Sequence, residues 1–206
     1  MSAARSLAAS SEALRDCIAR GGVAVFPSDT VYGVCCDPEN PLAVAQLYAL
    51  KGRAADKPAA LLCFSLAVAL SLLDQTGDRT RAAITALLPG PLTVLLANPQ
   101  RRFPLAGGQL LGLRVIDNGL SLATPVLQSS ANRSGGLDAR RLEDVSATIR
   151  DRADLVIDGG ELPGVPSTVL DLSKLEDGGG WRILRPGAIG AADIARVLDD
   201  AVSGRW

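Results

Sequence analysis

Short apolar runs, each cut off by proline, glycine or a polar turn, limit what this chain can fold into. Val23–Phe26 is continuously apolar, the mark of a strand covered on both faces, and it stops at Pro27. Ala60–Phe64, Leu92–Ala97, Leu111–Ile116 and the stretch before Gln128 read as further strands, followed by Leu155–Ile157, Ser167–Leu172 and Trp181–Leu184. Helical segments lie between them. Ser10 and Ser11 are expected to cap a first helix that carries Leu14, Cys17 and Ile18 and ends near Gly21-Gly22. Asn40-Pro41 should start a second, with Leu42, Ala45, Leu47 and Leu50 as its buried face. Leu66–Leu73, about Thr80–Leu88 (halted by Pro89-Gly90-Pro91), about Leu142–Arg150 and Asp193–Val202 complete the helices, the last with Ile194, Val197 and Leu198 on one side. Several strands follow one another with no helix between. The expected fold is therefore α/β, with a twisted mixed β-sheet flanked by helices.

A chain of 206 residues with 48% hydrophobic content can bury roughly 70% of its unfolded surface in one domain. No Pro/Ser linker or charge block divides it, so residues 1–206 are expected to form a single domain with a core of about 8–202. The N-terminus lacks a signal peptide's apolar run, and no segment reaches the roughly 18 apolar residues of a membrane span. A cytoplasmic protein with no membrane partner is expected. Cys17, Cys35, Cys36 and Cys63 form no CxxC pair and read as reduced, mostly buried thiols. Asp177-Gly-Gly-Gly180 reads as a turn between strands, and neither GxxxxGK[ST] nor a GxGxxG following a strand occurs.

Chemistry concentrates at Lys51-Gly52-Arg53-Ala54-Ala55-Asp56-Lys57-Pro58, where three cations fall between an apolar helix and an apolar strand. Such crowding costs like-charge repulsion, so a polyanion is the natural partner. The net charge of −1 argues against a dedicated duplex-binding protein but allows a local basic pocket. The chain has no histidine, which removes histidine bases and histidine metal ligands. No acidic cluster suggests a resident metal.

Seven blocks, in order, extend the pattern: Pro27-Ser-Asp-Thr30-Val-Tyr32-Gly33, Lys51-x-Arg53-x-x-x-Lys57-Pro58, Pro89-Gly-Pro-Leu-Thr93, Gly112-Leu-Arg114-Val, Ser130-Ala-Asn132-x-Ser134-Gly135, Pro166-Ser167-Thr168-Val-Leu-Asp171 and Ile183-Leu-Arg185-Pro-Gly187. Together they resemble the YrdC-type threonylcarbamoyl-AMP synthases in their short, single-domain form. The resemblance implies a concave, cation-lined cavity and an enzyme that joins L-threonine, bicarbonate and ATP into L-threonylcarbamoyl-adenylate, releasing pyrophosphate. It implies Mg²⁺ arriving with ATP, and downstream transferase proteins that move the threonylcarbamoyl group to adenosine 37 of tRNA. Near-neutral charge limits any direct tRNA binding to a weak contact.

The residues suit that chemistry, which needs two anions aligned rather than a protein nucleophile. Arg53 and Lys57, the expected catalytic cations, would bind the triphosphate, against a solvated helix-end cluster. Lys51 is either a third phosphate ligand or a structural residue. Thr30 and Tyr32 would hold L-threonine, against a capped turn and a core aromatic. Arg114, a lone charge in an apolar strand, would clamp threonine's carboxylate, against a salt bridge to an acid such as Asp117. Ser130 and Asn132 would line ATP, against an ordinary turn. Ser167 would contact the reacting groups, and Arg185 would be a second ATP cation; the alternatives are a strand start and a surface arginine. Asp171 reads as structural. The sequence departs from the family at Ser28 (commonly threonine), Ala54 (commonly proline) and Gln128-Ser129-Ser130, which leaves open which serine, Ser129 included, faces the ligand. Whether Ser134 does so is also open. Two other functions compete: a non-catalytic module binding double-stranded RNA or tRNA, disfavoured by 3% aromatic content, and a carbamoyl-transferring part of a larger maturation enzyme.

Overall fold

The computed structural model describes residues 6–52, 59–73 and 76–202. The chain runs α1 (Leu7–Ala19), β1 (Ala24–Pro27), β2 (Tyr32–Cys36), α2 (Pro41–Lys51), β3 (Ala60–Cys63), α3 (Leu66–Ser71), α4 (Asp78–Leu87), β4 (Leu92–Ala97), β5 (Leu110–Val115) and β6 (Val126–Ser130). A 3₁₀ turn (Leu142–Asp144), α5 (Ala147–Arg150), β7 (Leu155–Val156), β8 (Thr168–Asp171), β9 (Arg182–Arg185) and α6 (Ala191–Val202) follow. The strands form one sheet in the order β7-β1-β2-β6-β3-β5-β4-β8-β9. Three pairings are parallel (β1–β7, β3–β5 and β4–β8) and the other five antiparallel, so the sheet is mixed as expected.

Alternation along the strands separates two apolar layers. Val34, Leu61, Leu113, Leu127 and Val94 point to one face and pack with Leu47 of α2, Ile84 of α4 and Ile194 of α6. The opposite face carries Phe26, Leu62, Phe64, Ile116 and Val126 under Leu14, Cys17 and Ile18 of α1. Helix α1 covers only part of this second face. Further across the sheet, small residues replace the large apolar ones, and that is where the cavity described below opens.

Several boundaries differ from the sequence expectation, each for a local reason. Helix α1 starts at Leu7, capped by Ser6, whose Oγ accepts from the Ala9 amide at 3.3 Å. Ser10 and Ser11 lie inside the helix and are buried; Ser11 Oγ donates to Leu7 O and accepts from Ser121 N. Asn40 does cap α2, and Pro41 opens it. Its buried stripe, however, is Ala43, Val44, Leu47 and Leu50, while Leu42 is 82% exposed and Ala45 is exposed too. Leu42 precedes Leu47 by five positions, about 140° around a helix, and so cannot share its face. Strand β2 carries no strong strand signal, with Gly33 and two cysteines in five residues, yet it is wholly buried between β1 and β6. The segment 142–150 breaks at Val145-Ser146, where both residues leave helical backbone geometry (ψ 126° and 140°), while the Asp144 carboxylate caps the start of the 3₁₀ turn by accepting from the amides of Arg140 and Arg141.

All four cysteines are free and buried. Asp171 pairs with Arg182 and accepts from Ser173, a structural role. No helix among the described residues is long and apolar enough to cross a membrane.

The assignment of the α2 face is testable by paired truncations. Leu47→Ala should cost about 2–5 kcal/mol through the cavity it leaves, whereas Leu42→Ala should stay within about 0.5 kcal/mol. Urea unfolding of both variants checks this; equal losses would place Leu42 as well as Leu47 on the buried face of α2.

Candidate functional site

The centre of the second sheet face is built from residues too small to fill it. Ala60 of β3 pairs with Gly112 of β5 on one side and Gln128 of β6 on the other. Ala60 and Gly112 form the floor of a cavity of about 350 Å³, within the small-molecule range of about 300–1,000 Å³. Leu95, Leu110 and Val169 make an apolar border, and polar side chains stand at the rim.

Arg114 is the central polar group. It sits two residues beyond Gly112 on β5, lines the cavity and is only 4% exposed. Its Nη2 donates to Asp29 Oδ1 at 2.5 Å and to Thr30 Oγ1 at 3.2 Å. The turn between β1 and β2 supplies both partners. Ser28 Oγ donates to Val31 O at 2.6 Å and accepts from the amides of Thr30 and Val31, which closes the turn. With the Ser28 proton committed, Thr30 Oγ1 donates to Ser28 and accepts from Arg114. Burial pulls the Arg114 guanidinium below its ordinary range; Asp29 opposes this and Arg185 adds to it. Burial likewise pushes the Asp29 carboxyl up, with Arg114 pulling it back. Neither Arg114 Nε nor Asp29 Oδ2, both buried, has a partner among the described residues.

A second cation stands across the cavity. Arg185 of β9 lines it and donates from Nη2 to Ser167 O at 2.7 Å and Ser167 Oγ at 3.3 Å. Ser167 Oγ is also 2.9 Å from Thr93 Oγ1. Thr93, Val169 and Arg185 face one another through the β4–β8 and β8–β9 registers. Gly187 explains the glycine of the Arg-Pro-Gly block: a Cβ there would meet Pro166 O at 2.4 Å and Thr168 N at 2.5 Å. Only glycine lets this chain lie against the backbone that carries Ser167.

Lys51 resolves into the structural member of its cluster. It is 2% exposed, and its Nζ donates to Ser130 O, to Asn132 O at 2.7 Å and to Asn132 Oδ1 at 3.2 Å. Asn132 Oδ1 also accepts from Ser130 Oγ at 2.6 Å, and its Nδ2 donates to Gly136 O at 2.6 Å. One buried ammonium thus gathers the Ser130–Gly136 loop beside the cavity. Gly52, in the left-handed region at φ 56°, ends the helix that delivers it.

The structure therefore brings together Arg114, Ser130, Ser167 and Arg185 on one cavity wall or another, with Ser129 beside them. Thr30 is 1% exposed and braces Arg114 from behind rather than lining the cavity. Tyr32, expected at L-threonine, points elsewhere: its hydroxyl accepts from Gly159 N and lies 3.1 Å from Asp158 Oδ1 and 2.9 Å from Gly160 O. Burial pushes that phenol up to about 12, so it stays a neutral donor fastening the 158–160 loop. Asn132 is spent on its own loop, and Ser134 is exposed with its amide on Lys51 O. Arg53 and Lys57 lie outside the described residues. The acid partner of Arg114 is Asp29, not Asp117. Asp29 and Thr93 stand inside blocks the sequence displays, but their type gave no sign of which neighbour they would meet. Asp138, also on the wall, carried no motif signal, and Gln128 stood out only as part of the departure before Ser130.

Comparison with known proteins gives this site a context. Threonylcarbamoyl-AMP synthase of Bacillus subtilis is 33% identical over 193 residues, covering 85% of this chain and 53% of that protein. The enzyme of the same name from Chromohalobacter salexigens is 33% identical over 167 residues, covering 76% of this chain and 89% of its own. Pyrococcus abyssi Sua5 complexed with L-threonine superposes with a TM-score of 0.80 at 26% identity, covering 91% of this chain and 56% of that one. E. coli YciO shares the fold, with a TM-score of 0.76 at 23% identity over 92% of this chain and 93% of that one. The chain spans about half the length of the Bacillus and Pyrococcus proteins. The Sua5/YciO/YrdC family model, described as telomere recombination, matches residues 16–187. Since that match takes in every strand from β1 to β9 and every wall of the cavity, the chain belongs to the Sua5/YciO/YrdC family.

Proposed function

We propose that this protein is an L-threonylcarbamoyl-adenylate synthase. The observation that carries the reading is Arg114: a guanidinium on the cavity floor that keeps donors free. Its Nη2 is taken by Asp29 and Thr30, while Nε and Nη1 have no acceptor among the described residues. A buried cation with spare donors favours an incoming carboxylate through charge-assisted bonds. The named activity of relatives that match most of their own length supports the same substrate set.

In this reading the threonine carboxylate sits on Arg114. Its neutral amine adds to the carbon of bicarbonate, water leaves, and a carbamate forms without a protein nucleophile. A carbamate oxygen then attacks the α-phosphorus of ATP as the bond to the β-phosphate oxygen breaks, releasing pyrophosphate. Arg185, steadied by Ser167, offsets charge on the nucleotide, and Ser130 lies on the wall where phosphate or ribose oxygens pass. Arg53 and Lys57 are assigned to the triphosphate from their place in the family motif. Mg²⁺ travels with ATP as part of the substrate. The work is positioning and charge neutralisation in a partly dry cavity. The product would pass to tRNA threonylcarbamoyl-transferase proteins.

Pyrophosphate release from purified protein should require L-threonine, bicarbonate and Mg-ATP together; release that persists without threonine would make it a generic ATPase and overturn the reading. Arg114→Ala should raise the apparent threonine requirement about ten- to a hundredfold, the loss of one or two charge-assisted bonds, with little change for ATP. Arg185→Ala, Arg53→Ala and Lys57→Ala should do the reverse. Steady-state titration of each substrate separates these patterns, and equal effects on both substrates would show that the arginines hold the cavity together rather than its ligands.

A further inference from the structure

Besides Arg114, the cavity wall carries a neutral polar side chain with no hydrogen-bond partner among the described residues. Gln128 of β6 is 4% exposed, lines the cavity, and its side-chain amide makes no hydrogen bond among the described residues. Its amide therefore faces the cavity with its hydrogen-bonding capacity open to a ligand. Its seat is built rather than accidental. On the neighbouring strand β2, a Cβ at Gly33 would lie 2.9 Å from Gln128 Nε2 and 2.9 Å from the Phe26 ring. Glycine there leaves room for the amide between Phe26 and the floor. The rest of that floor, Ala60 and Gly112, has no polar side chain to compete for a ligand, and Arg114 lies two residues along β5 from Gly112.

From this we infer that Gln128 is a specificity-determining residue: its carboxamide takes the side-chain hydroxyl of the amino acid substrate. The inference rests on the synthase reading and deepens it. An amino acid whose carboxylate is on Arg114 spans the Gly112–Ala60 floor, and its side chain then reaches the β6 side, where Gln128 offers both a donor and an acceptor. The apolar floor accepts the methyl group. A site that buries a hydrogen-bonding group rejects an analogue lacking the matching hydroxyl, because the amide is then left without a partner. The neutral amide adds selectivity without disturbing the balance of charge between Arg114, Asp29 and Arg185.

The test compares L-threonine with L-2-aminobutyrate, which lacks only the hydroxyl, and with L-valine, which replaces it by methyl. Binding is read by calorimetry without ATP, and turnover by pyrophosphate release, in wild type, Gln128→Leu and Gln128→Glu. Wild type should prefer threonine by about ten- to a hundredfold. Gln128→Leu should bring that ratio close to one, with valine binding held or improved and ATP affinity unchanged. Gln128→Glu, which keeps acceptors but loses the amide donor, should retain part of the preference. A general loss of packing would instead weaken all three amino acids together and lower the melting temperature, and would overturn the assignment. So would a threonine preference that survives in Gln128→Leu. Wild-type protein that binds none of the three would overturn the synthase reading, and the assignment with it.

Discussion

A guanidinium inside an apolar strand is expensive, and the arrangement of this site follows from how Arg114 is accommodated. Its neighbours on β5 are Leu113 and Val115, both buried in the core, so desolvation cannot be relieved along its own strand. Relief comes from the β1–β2 turn, where Ser28 fixes the loop, Thr30 presents an oxygen and Asp29 supplies the opposite charge. Removing one partner of such a pair leaves an uncompensated buried charge, typically a loss of about 3–5 kcal/mol. The accommodation is also incomplete. Arg114 Nε and Asp29 Oδ2 have no partner among the described residues, which leaves a polar demand that a bound anion can meet on the arginine side. Ion-pair geometry thus links the fold of a hairpin turn to the readiness of the cavity.

That cavity exists because the two faces of the sheet are treated differently. One face is covered by α2, α4 and α6 in a continuous apolar cluster. On the other, α1 covers the β1–β2 end with the help of Phe26 and Phe64, and then the side chains shrink to Ala60 and Gly112. Strand order does the rest. Inserting β6 and β3 between the β1–β2 hairpin and β5 places chain segments distant in sequence around one hollow. Arg185 ends up close enough to Arg114 to disfavour its charge, a repulsion that an anionic ligand between them would relieve.

Most of the architecture could be read from the sequence because it depends on local pattern. Asn40-Pro41 begins a helix by capping chemistry, and Leu92–Ala97 matches its strand end to end. Strand β2 was missed since burial on both faces is set by neighbours, and Gly33 and Cys35-Cys36 have no periodicity to betray it. The buried face of α2 was misjudged for a related reason: Leu42 looks apolar, but the rotation of the helix is fixed by Leu47 and Leu50 against the sheet. At the site, the motif residues Arg114, Ser167 and Arg185 converge. Their partners could not be foreseen, because Asp29 meets Arg114 across 85 residues of sequence. Tyr32 shows the opposite limit. Its place in a motif suggested a ligand contact, whereas its hydroxyl is used to hold the loop at Asp158–Gly160.

Lys51 shows why a cluster of like charges should be divided before it is interpreted. Read along the sequence, it stands with Arg53 and Lys57 as one of three cations awaiting a polyanion. In the fold its ammonium faces inward to the carbonyls of Ser130 and Asn132, at 2% exposure. Those carbonyls belong to the loop whose Ser130 lines the cavity. A cation placed this way acts on a ligand indirectly, by fixing the backbone that frames the wall, and its ammonium protons are spent on the oxygens it holds. The charge that faces a substrate then comes from arginine, whose guanidinium can keep donors free after its structural partners are satisfied. With no histidine in the chain, proton transfer to a protein imidazole is not available to this site. The proposed reaction suits that composition, because a carbamate meeting a nucleotide phosphate needs alignment and charge neutralisation rather than an imidazole base.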